Sequence, residues 1–149
     1  MMFEPSLKYG SLPSERLGNI FIIDCNKNGS INYCTSILKY HLFYITAPTL
    51  LYSYIPLYNN LDKKLRIVFN DNYRNLSGIA QKRIAPMAFP KKAIPVIVTI
   101  DDGEVYKSTI TKTPNIFLLS GASFSVSENK IIFVGIDNKK LVSTGLCTF

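Results

Sequence analysis

Tryptophan is absent from this chain, histidine occurs once, cysteine three times, and acidic residues number 10 against 17 basic ones in 149 residues. Each shortage removes a class of chemistry. A nucleophile-histidine arrangement would have to be built around His41 alone, and no GxSxG elbow or Cys-Gly-x-Cys context accompanies it. Cys25, Cys34, Cys147 and His41 total four metal-ligating side chains, but no CxxC or HxxxH pair gives zinc-site spacing. GxxxxGK[ST] and GxGxxG are also missing, so no phosphate-cradling loop is expected. The sequence therefore predicts a non-enzymatic protein without a cofactor or metal.

Long apolar runs are lacking too. The best candidate for a membrane span, Tyr40 to Tyr58, is interrupted by Pro48 and Pro56 and crowded with tyrosine, which reads as two strands broken near Pro48. The first ten residues lack the charged-then-apolar layout of a secretory signal. Together with the odd cysteine count, this predicts an intracellular chain or one within an assembled particle.

What is present is a core-forming composition, with 47% hydrophobic and only 18% charged residues. A chain of this length and content builds one domain, and disorder is excluded as its main state. Residues 1–18, with Pro5, Gly10, Pro13 and Gly18, read as an irregular N-terminal arm ahead of a domain covering 19–149. Asn19 to Cys25 reads as a strand apolar on both faces, and Leu65 to Phe69 as another. The stretch 70–92 has no sustained period and reads as a long loop excursion, with one helical turn near Leu76 to Arg83.

Turn chemistry orders the rest. Asp102-Gly103 as a two-residue turn sets Ile100 opposite Val105 and Thr99 opposite Tyr106. A turn at Glu128-Asn129 sets Val126 opposite Ile131 and Phe124 opposite Phe133, and a third, in 137–140, sets Ile136 opposite Leu141 and Phe133 opposite Thr144. At Asn26-Lys27-Asn28-Gly29-Ser30 two registers compete. Centring on Asn28-Gly29 sets Cys25 opposite Asn32; centring on Gly29-Ser30 sets it opposite Cys34, the one register that allows a cross-strand disulfide, against the plainer reading of two reduced, half-buried cysteines acting as small hydrophobes. Eight to ten short strands with turns every 8 to 12 residues predict an all-β, antiparallel β-sandwich or small barrel of jelly-roll or immunoglobulin-like type.

The positive charge is uneven. Residues 65–92 hold six basic side chains and one acidic, whereas residues 93–149 hold five of each. With its two neighbours the basic set is Lys63, Lys64, Arg66, Arg74, Lys82, Arg83, Lys91 and Lys92. Interleaved with Tyr73 and Phe89, it is a candidate site for an anionic partner such as single-stranded nucleic acid, or equally a solvated or acid-docking loop. Tyr33, Tyr40, Tyr44, Tyr52, Tyr54 and Tyr58 form a second cluster, suited to a half-buried sheet face or a protein interface.

Three functions compete on these features. The first is a structural or interaction subunit of a larger assembly or homo-oligomer. Richness in Ile, Asn, Lys, Tyr and Phe, with 13 Lys to 4 Arg, suggests an AT-rich genome and, with the fold class, a virion capsid or tail component. The second is a nucleic-acid-binding β-barrel using residues 63–92. The third is a secreted adhesin or toxin-like module with Cys25 and Cys34 bridged.

Overall fold

The computed structural model describes residues 2–3, 6–9, 14–44, 54–76, 84–87, 92–112, 116–127, 130–137 and 142–148. The described chain is all-β and antiparallel, with short 3-10 turns and no closed barrel, as a β-sandwich requires. Its strands are β1 (Met2–Phe3), β2 (Ser6–Tyr9), β3 (Ser14–Leu17), β4 (Ile20–Cys25), β5 (Ile31–Ile37), β6 (His41–Tyr44) and β7 (Tyr54–Asn59). They continue with β8 (Lys64–Asn72), β9 (Ala93–Asp101), β10 (Glu104–Thr109), β11 (Ile116–Leu118), β12 (Phe124–Ser127), β13 (Lys130–Asp137) and β14 (Val142–Thr148). The segment expected to be an irregular arm is thus strand-bearing: β1 pairs with β4, and β2 pairs with β3, which pairs in turn with β6. Pro5, Gly10, Pro13 and Gly18 fall in sequence between these strands, so they punctuate β-structure here.

A four-stranded meander, β10-β9-β8-β7, is the middle layer. Alternation along β8 and β9 gives it two apolar faces. Ile67, Phe69, Ile94, Val96, Val98 and Ile100 pack against Ile20, Ile22 and Ile37 of the β1-β4-β5 sheet. On the opposite face, Leu57 and Val68 pack against Leu118, Ile131 and Phe133 of the sheet built on β13. In that third sheet, β13 carries β11 and β12 in line along one edge and β14 along the other.

The Asp102-Gly103 hairpin has the expected register, Ile100 opposite Val105 and Thr99 opposite Tyr106. Both turn residues have positive φ, 47° and 84°, which the Asp-Gly pair tolerates. The two later hairpins are each displaced by one residue: Phe124 stands opposite Ile132, and Phe133 opposite Gly145. A break in pairing between Ser125 and Ser127 makes Val126 the bulged residue, and such a bulge shifts every upstream partner.

The expected loop at 70–92 is corrected at its start. Strand β8 runs on through Asn70, Asp71 and Asn72, all buried, with Asn72 opposite Ala93. A 3-10 turn follows at Tyr73–Leu76, earlier than the expected turn near Leu76 to Arg83, most of which lies outside the described residues.

Candidate functional site

Among the described residues, the basic set is divided between the two ends of β8. Lys63, Lys64 and Arg66 stand at the start of β8, while Arg74 and Lys92 stand beyond its end, where the Tyr73 N–H donates to the Lys92 carbonyl at 3.0 Å. A nine-residue strand places these groups about 27 Å apart, beyond two Debye lengths in physiological salt. The strand between them is buried from Arg66 to Asn72. Two of the cations at the first end are already neutralised. Lys64 Nζ lies 2.7 Å from Asp101, and the largely buried Arg66 guanidinium is paired with Asp62. Hydrogen bonding to Asp101 raises the Lys64 ammonium pKa above its ordinary value, and Arg66 lowers that of the Asp62 carboxyl. Lys63 is exposed. Lys82, Arg83 and Lys91 lie outside the described residues, as does Phe89.

Of the described tyrosines, Tyr33 and Tyr54 pack on the same core cluster. The Arg16 guanidinium lies 4.5 Å from the Tyr40 ring centroid, Tyr54 packs on the main core beside the buried Lys39 ammonium, and Tyr58 is exposed. Tyr44 stands opposite Ser14 in the β3-β6 ladder, and Tyr52 lies outside the described residues. Tyr33 packs against the main core and Gly103; partial burial, then the charges of Asp24, Asp102 and Tyr58, raise its phenol pKa above the ordinary value.

The disulfide register is not adopted. Cys34 stands opposite Ile23 and Cys25 opposite Ile31, and both thiols are free and exposed. The body of this hairpin has the register of the Asn28-Gly29 turn, ending in a bulge between Asp24 and Cys25. Asn26 fixes the turn: its side-chain oxygen accepts from the N–H groups of Asn28 and Ser30, its carbonyl accepts from Gly29 N–H, and Gly29 takes φ +87°.

Sequence reasoning missed a buried polar cluster at the far end of β8. The Asn70 side chain donates to the Leu118 carbonyl at 2.8 Å and accepts from the Leu118 N–H at 2.7 Å, so one amide stitches the middle sheet to β11. His41 Nε2 lies 2.5 Å from the Asn70 carbonyl oxygen; since that oxygen only accepts, Nε2 carries the proton. Asp71, fully buried, accepts from the Asn72 N–H and the Asn75 amide and is ion-paired with Lys107. Asn75 exchanges two hydrogen bonds with the Ala85 backbone, Asn72 donates to the Pro86 carbonyl, and Met87 bridges to β6 through Tyr40 and Leu42. Among the described residues no buried side-chain nitrogen or oxygen lacks a partner. The cluster is therefore a clamp that secures residues 84–87. The legible signal was the lack of glycine or proline in 65–72, although asparagine and aspartate are themselves turn residues.

The third sheet carries the remaining features. Its inner face and the middle sheet flank an open pocket of about 300 Å³ lined chiefly by apolar groups, including Pro95, Ile110, Leu118, Phe133 and Cys147. Burial raises the Cys147 thiol pKa above its ordinary value. The outer face is apolar and exposed along β12 and β14, where Phe124, Val126, Val142 and Leu146 are 56%, 54%, 64% and 63% exposed, whereas at its β11 end Phe117, opposite Ile136, is fully buried with Met87 and Ala93. Register places Phe124 and Leu146 beside Ile132, and Val142 beside Ile136, on one face, and the bulged Val126 adjoins them on β12. This stripe presents roughly 500 Å² of apolar side chain, near the upper end for the largest patch on a monomer, a size that often marks an interaction site.

Among the described residues no group of three or more His, Cys, Asp or Glu side chains could hold a metal ion, and no helix is long and apolar enough to cross a membrane. Comparison of the chain with protein-family models, curated protein sequences and solved structures returns no significant match.

Proposed function

We propose that this chain is a non-enzymatic interaction subunit that enters a larger assembly through the outer face of the β12-β13-β14 sheet. The observation that carries this reading is the uncovered stripe of Phe124, Val126, Val142 and Leu146, whose solvation is unfavourable in an isolated chain. The division of the basic set between two ends of β8, with Lys64 and Arg66 already in ion pairs, favours this reading over a continuous nucleic-acid groove. A particle such as a virion is the setting that the AT-rich composition and all-β chain suggest, an argument by fold class and composition.

Lys130, exposed at the margin of the stripe, offers a test. Amine cross-linking of the tagged chain in its native source, followed by mass spectrometry, should join Lys130 to another polypeptide or to a second copy. A chain recovered without intermolecular links from Lys130, but bound to nucleic acid in a salt-sensitive way, would replace this reading with the nucleic-acid one.

A further inference from the structure

We propose that the occupant of the β12-β13-β14 outer face is a second copy of this chain, with the two faces packed against each other about a two-fold axis. This rests on the interaction reading above and adds the identity of the partner. The whole chain carries +7, so most of its surface repels a like copy. The stripe is different: Phe124, Ile132, Val134, Ile136, Val142, Thr144 and Leu146 are uncharged, and Lys130 stands only at its end. A neutral apolar face is self-complementary and has no charge for an oppositely charged protein to recognise.

Two copies of the stripe bury roughly 1,000 Å² of apolar surface, and Thr144, between its two rows, brings the total toward about 1,200 Å², where specific interfaces begin. Register sets Phe124, Ile132 and Leu146 in a row across three adjacent strands, with Ile136 and Val142 forming a second row toward the other end of the sheet. Rows of this kind interdigitate when two sheets stack face to face about 10 Å apart. The pair of outer sheets then becomes a further β-sandwich core, shared between protomers.

Sedimentation equilibrium of the purified full chain, at physiological salt and up to about 100 µM, tests this directly. The expected result is a species of twice the 16.8 kDa chain mass. Leu146→Glu and, independently, Thr144→Arg place a charge at the centre of the stripe on residues that are already exposed, so each should weaken the dimer at least about 30-fold while leaving the circular dichroism spectrum unchanged. Tyr106→Glu, on the exposed β10, should leave the dimer intact. A dimer insensitive to both stripe variants overturns the proposal. So does a monomer at every concentration: with Lys130 cross-links to a different polypeptide the interaction reading survives and only the second copy is lost, and without any such links both fall.

Discussion

Asn70→Ala isolates the stitch between the middle sheet and β11. The Asn70 amide is fully buried and supplies both the acceptor for the Leu118 N–H and the donor for the Leu118 carbonyl. Truncation leaves both backbone groups unpaired at a residue that is itself buried. A buried group stripped of its partner costs about 1–3 kcal/mol, so the pair should cost roughly 3–4 kcal/mol, with some relief if water enters the space vacated by the amide. Against a typical total stability of about 5–15 kcal/mol this is a large fraction, and it corresponds to a fall in Tm of roughly 6–15 °C. Urea unfolding followed by circular dichroism measures the global loss. Hydrogen exchange at the Leu118 amide, which should quicken far more than amides of β4 or β5, reports the local cause. Asn70→Asp sharpens the test. A carboxylate keeps the acceptor but cannot donate to the Leu118 carbonyl, whereas its protonated form can do both. Burial holds the new carboxyl above its unfolded pKa, so the variant should be closest to wild type below about pH 4 and lose stability as pH rises through that value toward the folded pKa. A loss under about 1 kcal/mol in Asn70→Ala, or unchanged exchange at Leu118, would refute the stitch.

Further outcomes follow from the same geometry. Gly29→Ala and Gly103→Ala both force a positive φ on alanine, but a Cβ at Gly29 meets nothing within 4 Å while one at Gly103 meets Tyr33 carbons at 3.3 Å. Chemical denaturation should therefore show about 1 kcal/mol lost at Gly29 and measurably more at Gly103; equal losses would remove the Tyr33 contact from the account. Lys107→Met should cost about 2 kcal/mol, less than a fully buried pair because the Lys107 side chain is 25% exposed, and the double variant with Asp71→Asn should recover part of that loss in a double-mutant cycle. Additive losses in the cycle would mean that the pair is not coupled. Alkylation of the native protein should modify Cys25 and Cys34 well before Cys147, whose thiol is held protonated by burial, and the untreated chain should have the mass of three free thiols. A mass lower by two protons would restore the disulfide.

Legibility in the sequence depended on whether a local signal carried the register. Asp102-Gly103 supplies two residues that accept positive φ and sit between alternating strands, so the turn alone dictates the ladder. No such signal announces the bulge at Val126, and one extra residue displaced the Phe124 pairing by one place. The effect was an inversion of faces: Phe124, expected inside with Phe133, is outside with Ile132. Asn70-Asp71-Asn72 misled for the opposite reason, since these residue types favour turns by local hydrogen bonding, and here tertiary partners on Leu118, Asn75 and Lys107 satisfy them instead. The basic set looked like one patch because sequence distance ignores that an extended strand carries its ends far apart.

These two departures from simple patterning have different energetic consequences. Polar side chains inside β8 are fully partnered, so their burial adds little net stability but penalises any other register, because each alternative leaves Asp71 or an asparagine amide unpaired in the interior. Apolar side chains outside β12 and β14 have no comparable compensation within one chain. Mutating them to polar residues should leave the monomer's stability nearly unchanged, since they are already in water, and solubility alone would then favour their replacement. Burial between two chains would offset that exposure, and under the dimer proposal the energetic contribution of the stripe is read in the dimer equilibrium and not in the unfolding of the monomer.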